Sequence, residues 1–90
     1  MSKGSFSATA ADSIIIAKAL MANAGQVEIH YHSGDTGFLG FGAAGVEGEG
    51  IKISSGGPYY KIDSGDPRLL MDVHMICPAG ETVTGGYQIT

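Results

Sequence analysis

Fifteen glycines, spread along the chain without a period, separate short stretches that are rich in isoleucine, valine, tyrosine and phenylalanine. Glycine supplies the positive φ that tight turns require, whereas β-branched and aromatic residues favour strands. A chain of 90 residues has room for one core, and its 43% of hydrophobic residues argues against disorder. The pattern therefore predicts a single small all-β domain in which tight turns connect short strands.

Alternation of apolar and polar residues marks the clearest strands. In the segment 27–32 the two kinds alternate strictly, which is typical of a half-buried strand. Residues 33–37 then predict a turn, and residues 38–41 predict the returning strand of a hairpin. Residues 42–50 are predicted as an exposed loop, and the longest alternation runs from Leu69 to Cys77. The whole chain is predicted to form six to seven short strands in an antiparallel β-sandwich or jelly-roll-like barrel.

The first eleven residues are small and polar apart from Phe6. Chain termini are commonly loose, so residues 1–11 are predicted as a flexible N-terminal arm and residues 12–90 as the β domain. If the arm orders against a neighbouring subunit, Phe6 is its expected anchor. Residues Ser13–Ala17 are predicted as a strand, and Leu20–Gly25 as a turn or short helical bend.

Charge and hydropathy argue against several classes of partner. The formal net charge is −4 and the five basic residues lie singly, so no basic stripe could meet the phosphates of a nucleic acid. No strictly apolar run is longer than the four residues of Ile14–Ala17, which is far too short to span a membrane. Residues 1–13 lack the pattern of a signal or transit peptide, which favours synthesis in the cytoplasm. Neither nucleic acid nor membrane is therefore expected as a partner.

Glu28, His30 and His32 form the one constellation that could carry chemistry. Residues two apart on a strand share a face, so these side chains could converge on a metal, and His74 could join them. The His-x-His pattern resembles the cupin metal motif, but the glutamate that follows it in cupins is absent here. The alternative is that the three residues form the solvated face of an amphipathic strand. No bound metal or cofactor is predicted, and no acid–base pair accompanies a nucleophile, which predicts a protein that is not an enzyme.

Apolar side chains on both faces of the predicted strands indicate a surface that another protein covers, unless the chain itself covers both faces. Adjacent strand residues point to opposite sides, so one of two neighbouring tyrosines should lie near the surface. The single cysteine excludes an intrachain disulfide, and a small domain without one gains stability by association. The predicted interface residues are Phe6, Tyr59, Tyr60, Leu70 and Ile76.

Residues 27–62 combine strands and turns in a recognisable order. A strand ends in Ser33-Gly34, the step Phe38-Leu39-Gly40 follows, and the turn Gly56-Gly57-Pro58 precedes Tyr59-Tyr60-Lys61-Ile62. Together with the bend Ala22-Asn23-Ala24, this order resembles the small β-sandwich decoration, cement or head-stabilising proteins of tailed bacteriophages. Such proteins are commonly multimeric and have no catalytic activity.

The resemblance implies a structural virion protein that binds the outside of a phage head and bridges capsid subunits. The implied partners are the major capsid protein and further copies of the chain, as a homotrimer, and the implied location is the capsid surface after synthesis in the host cytoplasm. The alternative is a carbohydrate- or receptor-binding β module, lectin-like or fibre-associated. Lectin sites use residue types such as those of Tyr59, Tyr60, Asp63 and Asp66.

Overall fold

The computed structural model describes residues 2–45 and 50–90, which contain eight strands and two helical turns. The helical turns are α1 (Lys18–Met21), between the second and third strands, and a 3-10 turn (Pro67–Leu70), between the sixth and seventh. The strands are β1 (Ser2–Ala8), β2 (Ser13–Ile16), β3 (Gln26–Gly34), β4 (Gly37–Phe41), β5 (Ile51–Ile53), β6 (Tyr59–Asp63), β7 (Val73–Ile76) and β8 (Val83–Ile89).

The strands form two antiparallel four-stranded sheets that pack against each other. Sheet A has the order β1-β8-β3-β6, and sheet B has the order β2-β7-β4-β5. The strand pairs are nested along the sequence: β1 pairs with β8, β2 with β7, β3 with β6 and β4 with β5. This nested pairing is the strand order of a jelly roll. The prediction of a small antiparallel sandwich is confirmed, with eight strands in place of six or seven.

Strands β3 and β4 do not form the predicted hairpin, because they belong to different sheets. Strand β3 pairs with β6 and β8, whereas β4 pairs with β5 and β7. Gly34 begins the connection at a φ of 99°, and the Asp35 amide donates a hydrogen bond to the carbonyl oxygen of Thr82 at 2.7 Å. The Thr82 amide donates in return to Asp35 Oδ2 at 3.2 Å. These bonds hold the connection next to the start of β8, so that it crosses between the sheets.

Strand β1 occupies most of the segment predicted as a flexible arm, and that prediction was wrong for it. The strand pairs with β8 along its whole length. Phe6 is only 9% exposed and Ala8 is fully buried, so both belong to the core of their own chain. The absence of a side chain at Gly4 leaves space for the ring of Tyr87, its partner on β8. The β domain therefore includes β1.

The core lies between the two sheets and takes apolar side chains from all eight strands. The inward-facing residues Val27 and Ile29 on β3 and Val73 and Met75 on β7 are completely buried, as the alternation predicts, and Tyr31 at the next inward position of β3 is half-buried. No polar or charged residue of the described chain is buried, so apolar burial is the main source of stability. The buried residues are Phe6, Ala8, Ile15, Ile16, Met21, Val27, Ile29, Leu39, Ile53, Ile62, Leu69, Val73, Met75, Cys77, Val83 and Ile89.

The long alternating segment that ends at Cys77 is not one continuous strand. Its first part belongs to the 3-10 turn Pro67–Leu70, and β7 begins only at Val73. Asp66 caps this turn, because its Oδ1 accepts a hydrogen bond from the backbone amide of Arg68 at 2.9 Å. Proline at the first position of the turn has no amide to satisfy, which favours a helical start at this point.

The strand predicted over Ser13–Ala17 is confirmed as β2. The turn or short helical bend predicted over Leu20–Gly25 begins two residues earlier, because α1 spans Lys18–Met21 and turn residues follow it. The predicted exposed loop over residues 42–50 is exposed at residues 42–44, but it folds back over the outside of β4 and so brings Gly45 into a buried position. A Cβ atom at Gly40 would contact the carbonyl oxygen of Ala43. Residues 46–49 lie outside the described part of the chain.

Candidate binding surfaces

Alternate residues of four strands form a polar surface on the outside of sheet A. Because every second residue of β3 points into the core, the residues between them point outward. The register places Glu28 opposite Lys61, and it places His30 opposite Tyr59 on β6 and Gly86 on β8. We call this surface the polar face; its residues are Lys3, Ser5, Ser7, Glu28, His30, His32, Tyr59, Lys61, Asp63, Thr84, Gly86 and Gln88.

Four side chains of the β3–β6 pair contact one another on the polar face. Tyr59 is 52% exposed, and its ring stacks on the ring of His30 with centroids 5.9 Å apart and an interplanar angle of 26°. Glu28 Oε2 lies 3.6 Å from His30 Nε2, and Glu28 Oε1 lies 3.7 Å from Lys61 Nζ. Lys61 Nζ is also 5.7 Å from the centroid of the Tyr59 ring. The exposed Tyr59 ring thus lies beside two bases, His30 and Lys61, and the Glu28 carboxylate lies near both of these bases.

The candidate metal ligands Glu28, His30 and His32 lie on this face but do not form a metal site. His32 lies in the bulge of β3, between Tyr31 and Ser33, and its ring lies over Gly86 on the neighbouring strand. Among residues 2–45 and 50–90, no group of three or more His, Cys, Asp or Glu side chains could hold a metal ion. The three residues are part of the outward side of an amphipathic strand.

A second surface is apolar and lies where α1 packs against the 3-10 turn. Leu20 is 50% exposed, Leu70 is 73% exposed and Met71 is 37% exposed. The Lys18 amide donates a hydrogen bond to Asp72 Oδ1 at 2.8 Å, which joins α1 to the segment between the 3-10 turn and β7. A cleft of about 400 Å³, lined in part by Leu70, opens between them. We call Leu20, Leu70 and Met71 the apolar end, because exposed apolar clusters on a small domain mark interaction sites.

Arg68 connects the 3-10 turn to both sheets. Its side chain donates to Asp66 through Nε at 3.0 Å and through Nη2 at 2.6 Å. The guanidinium carbon lies 5.3 Å from the centroid of the Phe41 ring in sheet B and 5.1 Å from that of Tyr60 in sheet A. This cation therefore stacks on aromatic rings from the two sheets and ties the 3-10 turn, which carries Leu70, to both of them.

The chain itself partly covers the outer face of sheet B. Phe38 and Ile76 face outward as a directly opposed pair on β4 and β7, and both are half-buried. Gly45 lies against them, since a Cβ atom at that position would be 3.2 Å from Ile76 Cγ2. Ile14, on the edge strand β2, remains 55% exposed. The chain itself, and not a partner protein, therefore covers part of the outer face of this sheet.

The structure separates the five predicted interface residues instead of bringing them to one surface. Two of them contact the core, and the other three lie on three different surfaces. Leu20 and Met71 were missed by the sequence analysis, because their exposure depends on helical turns that interrupt the strand alternation. The five are placed as follows: Phe6 in the core, Tyr59 on the polar face, Tyr60 half-buried against the core, Leu70 at the apolar end, and Ile76 half-buried on the outside of sheet B.

Cys77 is expected to be unreactive in the folded protein. Its side chain is 2% exposed, and its Sγ lies 3.5 Å from the carbonyl oxygen of Ala8. Burial, followed by the negative charges of Glu81 and Asp35, raises the pKa of the thiol and so lowers the fraction of reactive thiolate. Labelling with Ellman's reagent at mildly alkaline pH should be negligible in buffer and complete in urea. Rapid labelling of the folded chain would contradict this burial.

Within the described part of the chain, no helix is long and apolar enough to cross a membrane. Comparisons with known protein families, curated proteins and solved structures find no match to this chain. The structural class of the chain therefore follows from its own fold and surfaces. The chain is a small eight-stranded jelly-roll domain with two contrasting surfaces, a polar one that carries aromatic rings and an apolar one at one end.

Proposed function

We propose that this chain is a non-catalytic decoration or cement protein that binds the outside of a tailed-phage head and bridges its capsid subunits. The observation that carries the proposal is the apolar end, where Leu20, Leu70 and Met71 stand 50%, 73% and 37% exposed. Burial of one leucine side chain against a partner contributes about 1.5–3 kcal/mol, so three such side chains could anchor the domain on a protein surface. The resemblance over residues 27–62 supports a virion partner.

The construction of the apolar end suits adhesion. The turn that carries Leu70 is capped by Asp66, and the Arg68–Asp66 ion pair, 2.6 Å between Nη2 and Oδ2, stacks on two aromatic rings. A surface held in this way loses little conformational freedom on docking, which favours binding. If the chain is a homotrimer, three apolar ends act together, and weak contacts add up to firm attachment through their effective concentration.

Location on phage particles is the first test of this proposal. An antibody against the chain should label the outer surface of heads in lysates of infected cells that produce it, and the chain should sediment with those heads. Light scattering of the purified chain should show a homotrimer or another defined oligomer. A chain that stays in the supernatant, with unlabelled heads, would contradict the proposal.

Two matched substitutions test whether the apolar end makes the contact. Leu70→Asp should reduce the binding of added chain to undecorated heads by about tenfold or more, because it places a charge in the proposed interface. Ile14→Asp makes a similar change at another exposed apolar residue, on sheet B, and should leave binding nearly unchanged. Both variants should keep the thermal stability of the original chain. Equal losses from the two substitutions would place the contact elsewhere.

A further inference from the structure

We infer that the polar face binds a neutral carbohydrate chain. A sugar ring has an apolar side formed by C–H groups and a rim of hydroxyls that both donate and accept hydrogen bonds. Its recognition therefore needs an exposed aromatic ring beside polar groups of both kinds. Tyr59, 52% exposed, provides such a ring on the polar face. This inference does not depend on capsid binding, and it concerns a different surface from the apolar end.

Three rings form a strip on which sugar rings could stack. The rings of Tyr59 and His30 are nearly parallel, at 26°, and their centroids are 5.9 Å apart. Gly86 lies opposite His30 on β8, and a Cβ atom there would be 3.3 Å from Cε1 of His32. Because Gly86 has no side chain, the His32 ring can lie close to the sheet. The strip thus crosses from β6 over β3 to β8.

Hydrogen-bonding groups of both kinds lie beside this strip. Glu28 is 3.6 Å from His30 Nε2 and 3.7 Å from Lys61 Nζ, separations of ion pairs that are longer than hydrogen bonds. The Glu28 carboxylate can therefore accept from sugar hydroxyls, and the Lys61 ammonium can donate to them. Lys61 Nζ lies 5.7 Å from the centroid of the Tyr59 ring, so the rim of a sugar stacked there is within its reach.

The charges of the polar face favour a neutral glycan over an acidic one. Lys3 and Lys61 are balanced by Glu28 and Asp63, and the whole chain carries a formal charge of −4. A sulfated or uronate-containing polymer would find no excess of positive charge here and would be repelled by the protein as a whole. The four strands of sheet A span about 14 Å from β6 to β1, which accommodates a short run of sugar rings.

A glycan array that carries neutral, sialylated, sulfated and uronate-containing oligosaccharides tests the inference with the full chain. We expect binding among the neutral hexopyranose glycans. Amide NMR shifts on titration with the best of them should map to β3, β6 and β8. Failure to bind any neutral glycan, binding confined to acidic glycans, or shifts that map to the cleft of the apolar end would each overturn the inference.

Two substitutions at Tyr59 distinguish a loss of sugar stacking on this ring from a loss of the fold. Tyr59→Ala should weaken binding of the best neutral glycan by about tenfold or more, whereas Tyr59→Phe keeps the ring and should change it by about twofold or less. Unchanged affinity in Tyr59→Ala would overturn the inference. Leu70→Asp should not affect glycan binding, and Tyr59→Ala should not affect head binding. The failure of either proposal can thus be distinguished from the failure of the other.

Discussion

Deletion of residues 1–8 should leave a chain that no longer folds cooperatively. The deletion removes Phe6 and Ala8 from the core and exposes the edge of β8 that β1 covers. Loss of a buried phenylalanine side chain alone costs about 3–5 kcal/mol, against a total stability of about 5–15 kcal/mol for a typical domain. A domain this small belongs at the lower end of that range. Thermal unfolding followed by circular dichroism should therefore show no cooperative transition.

Point substitutions in β1 show whether the loss has this cause. Phe6→Ala should keep the fold but lower the free energy of unfolding by about 3–5 kcal/mol. Ser5→Ala, on the polar face of the same strand, should change it by less than about 0.5 kcal/mol. If the truncated chain melts close to the full-length chain, β1 does not contribute to the fold, and residues 1–11 form a flexible arm after all.

A single methyl group at Gly85 should have the second large effect. Gly85 lies in β8 between β1 and β3, and a Cβ atom there would contact the carbonyl oxygen of His30 and come within 2.6 Å of Cζ of Phe6. The Phe6 ring could move, but the backbone of β3 is held by strands on both sides. Overpacking costs about 1–3 kcal/mol and more where the backbone is the obstacle, so Gly85→Ala should destabilise the fold by about 3 kcal/mol or more. Urea denaturation measures this loss.

Gly57→Ala is the matched control, because it adds the same atoms where there is space. No atom lies within 4 Å of a Cβ at Gly57, and its backbone is outside the left-handed region. The free energy of unfolding should therefore change by less than about 0.5 kcal/mol in either direction. Similar losses from the two substitutions would mean that close packing of β8 against its neighbours is not the cause.

Local patterns were enough to find most strands, but not to find their partners. The alternation in residues 27–32 identifies β3 and its buried side, because a strand that is buried on one side imposes a period of two. The same pattern does not show whether the next strand returns beside β3 or crosses to the other sheet. In the fold, hydrogen bonds between Asp35 and Thr82, which are 47 residues apart in the chain, hold the crossing connection, and β4 pairs with β5 and β7. No local signal reports such a contact.

For the candidate surfaces, too, local patterns predicted the orientation of single residues but not their neighbours. Sequence reasoning placed Glu28, His30 and His32 on the outward side of a strand, and it required one tyrosine of the pair 59–60 to lie near the surface. Tyr59 is that residue, but its position against His30 follows only from the register of β3 with β6. The apolar end was not predicted as a surface, because Asp66 and Pro67 turn the expected strand into a 3-10 turn.

The position of β8 inside sheet A has a consequence for biosynthesis. This strand is the last of the eight to leave the ribosome, and yet it lies between β1 and β3, which are made much earlier. Until it emerges, β1 has no partner in sheet A, and one edge of β3 stays open. The nascent chain can therefore assemble the β4–β5 pair early, but it must complete the sandwich after synthesis of Val83–Ile89. Folding that depends on such distant pairings is slow, and unpaired strands are prone to aggregate, so this short interval is when the chain most needs a chaperone.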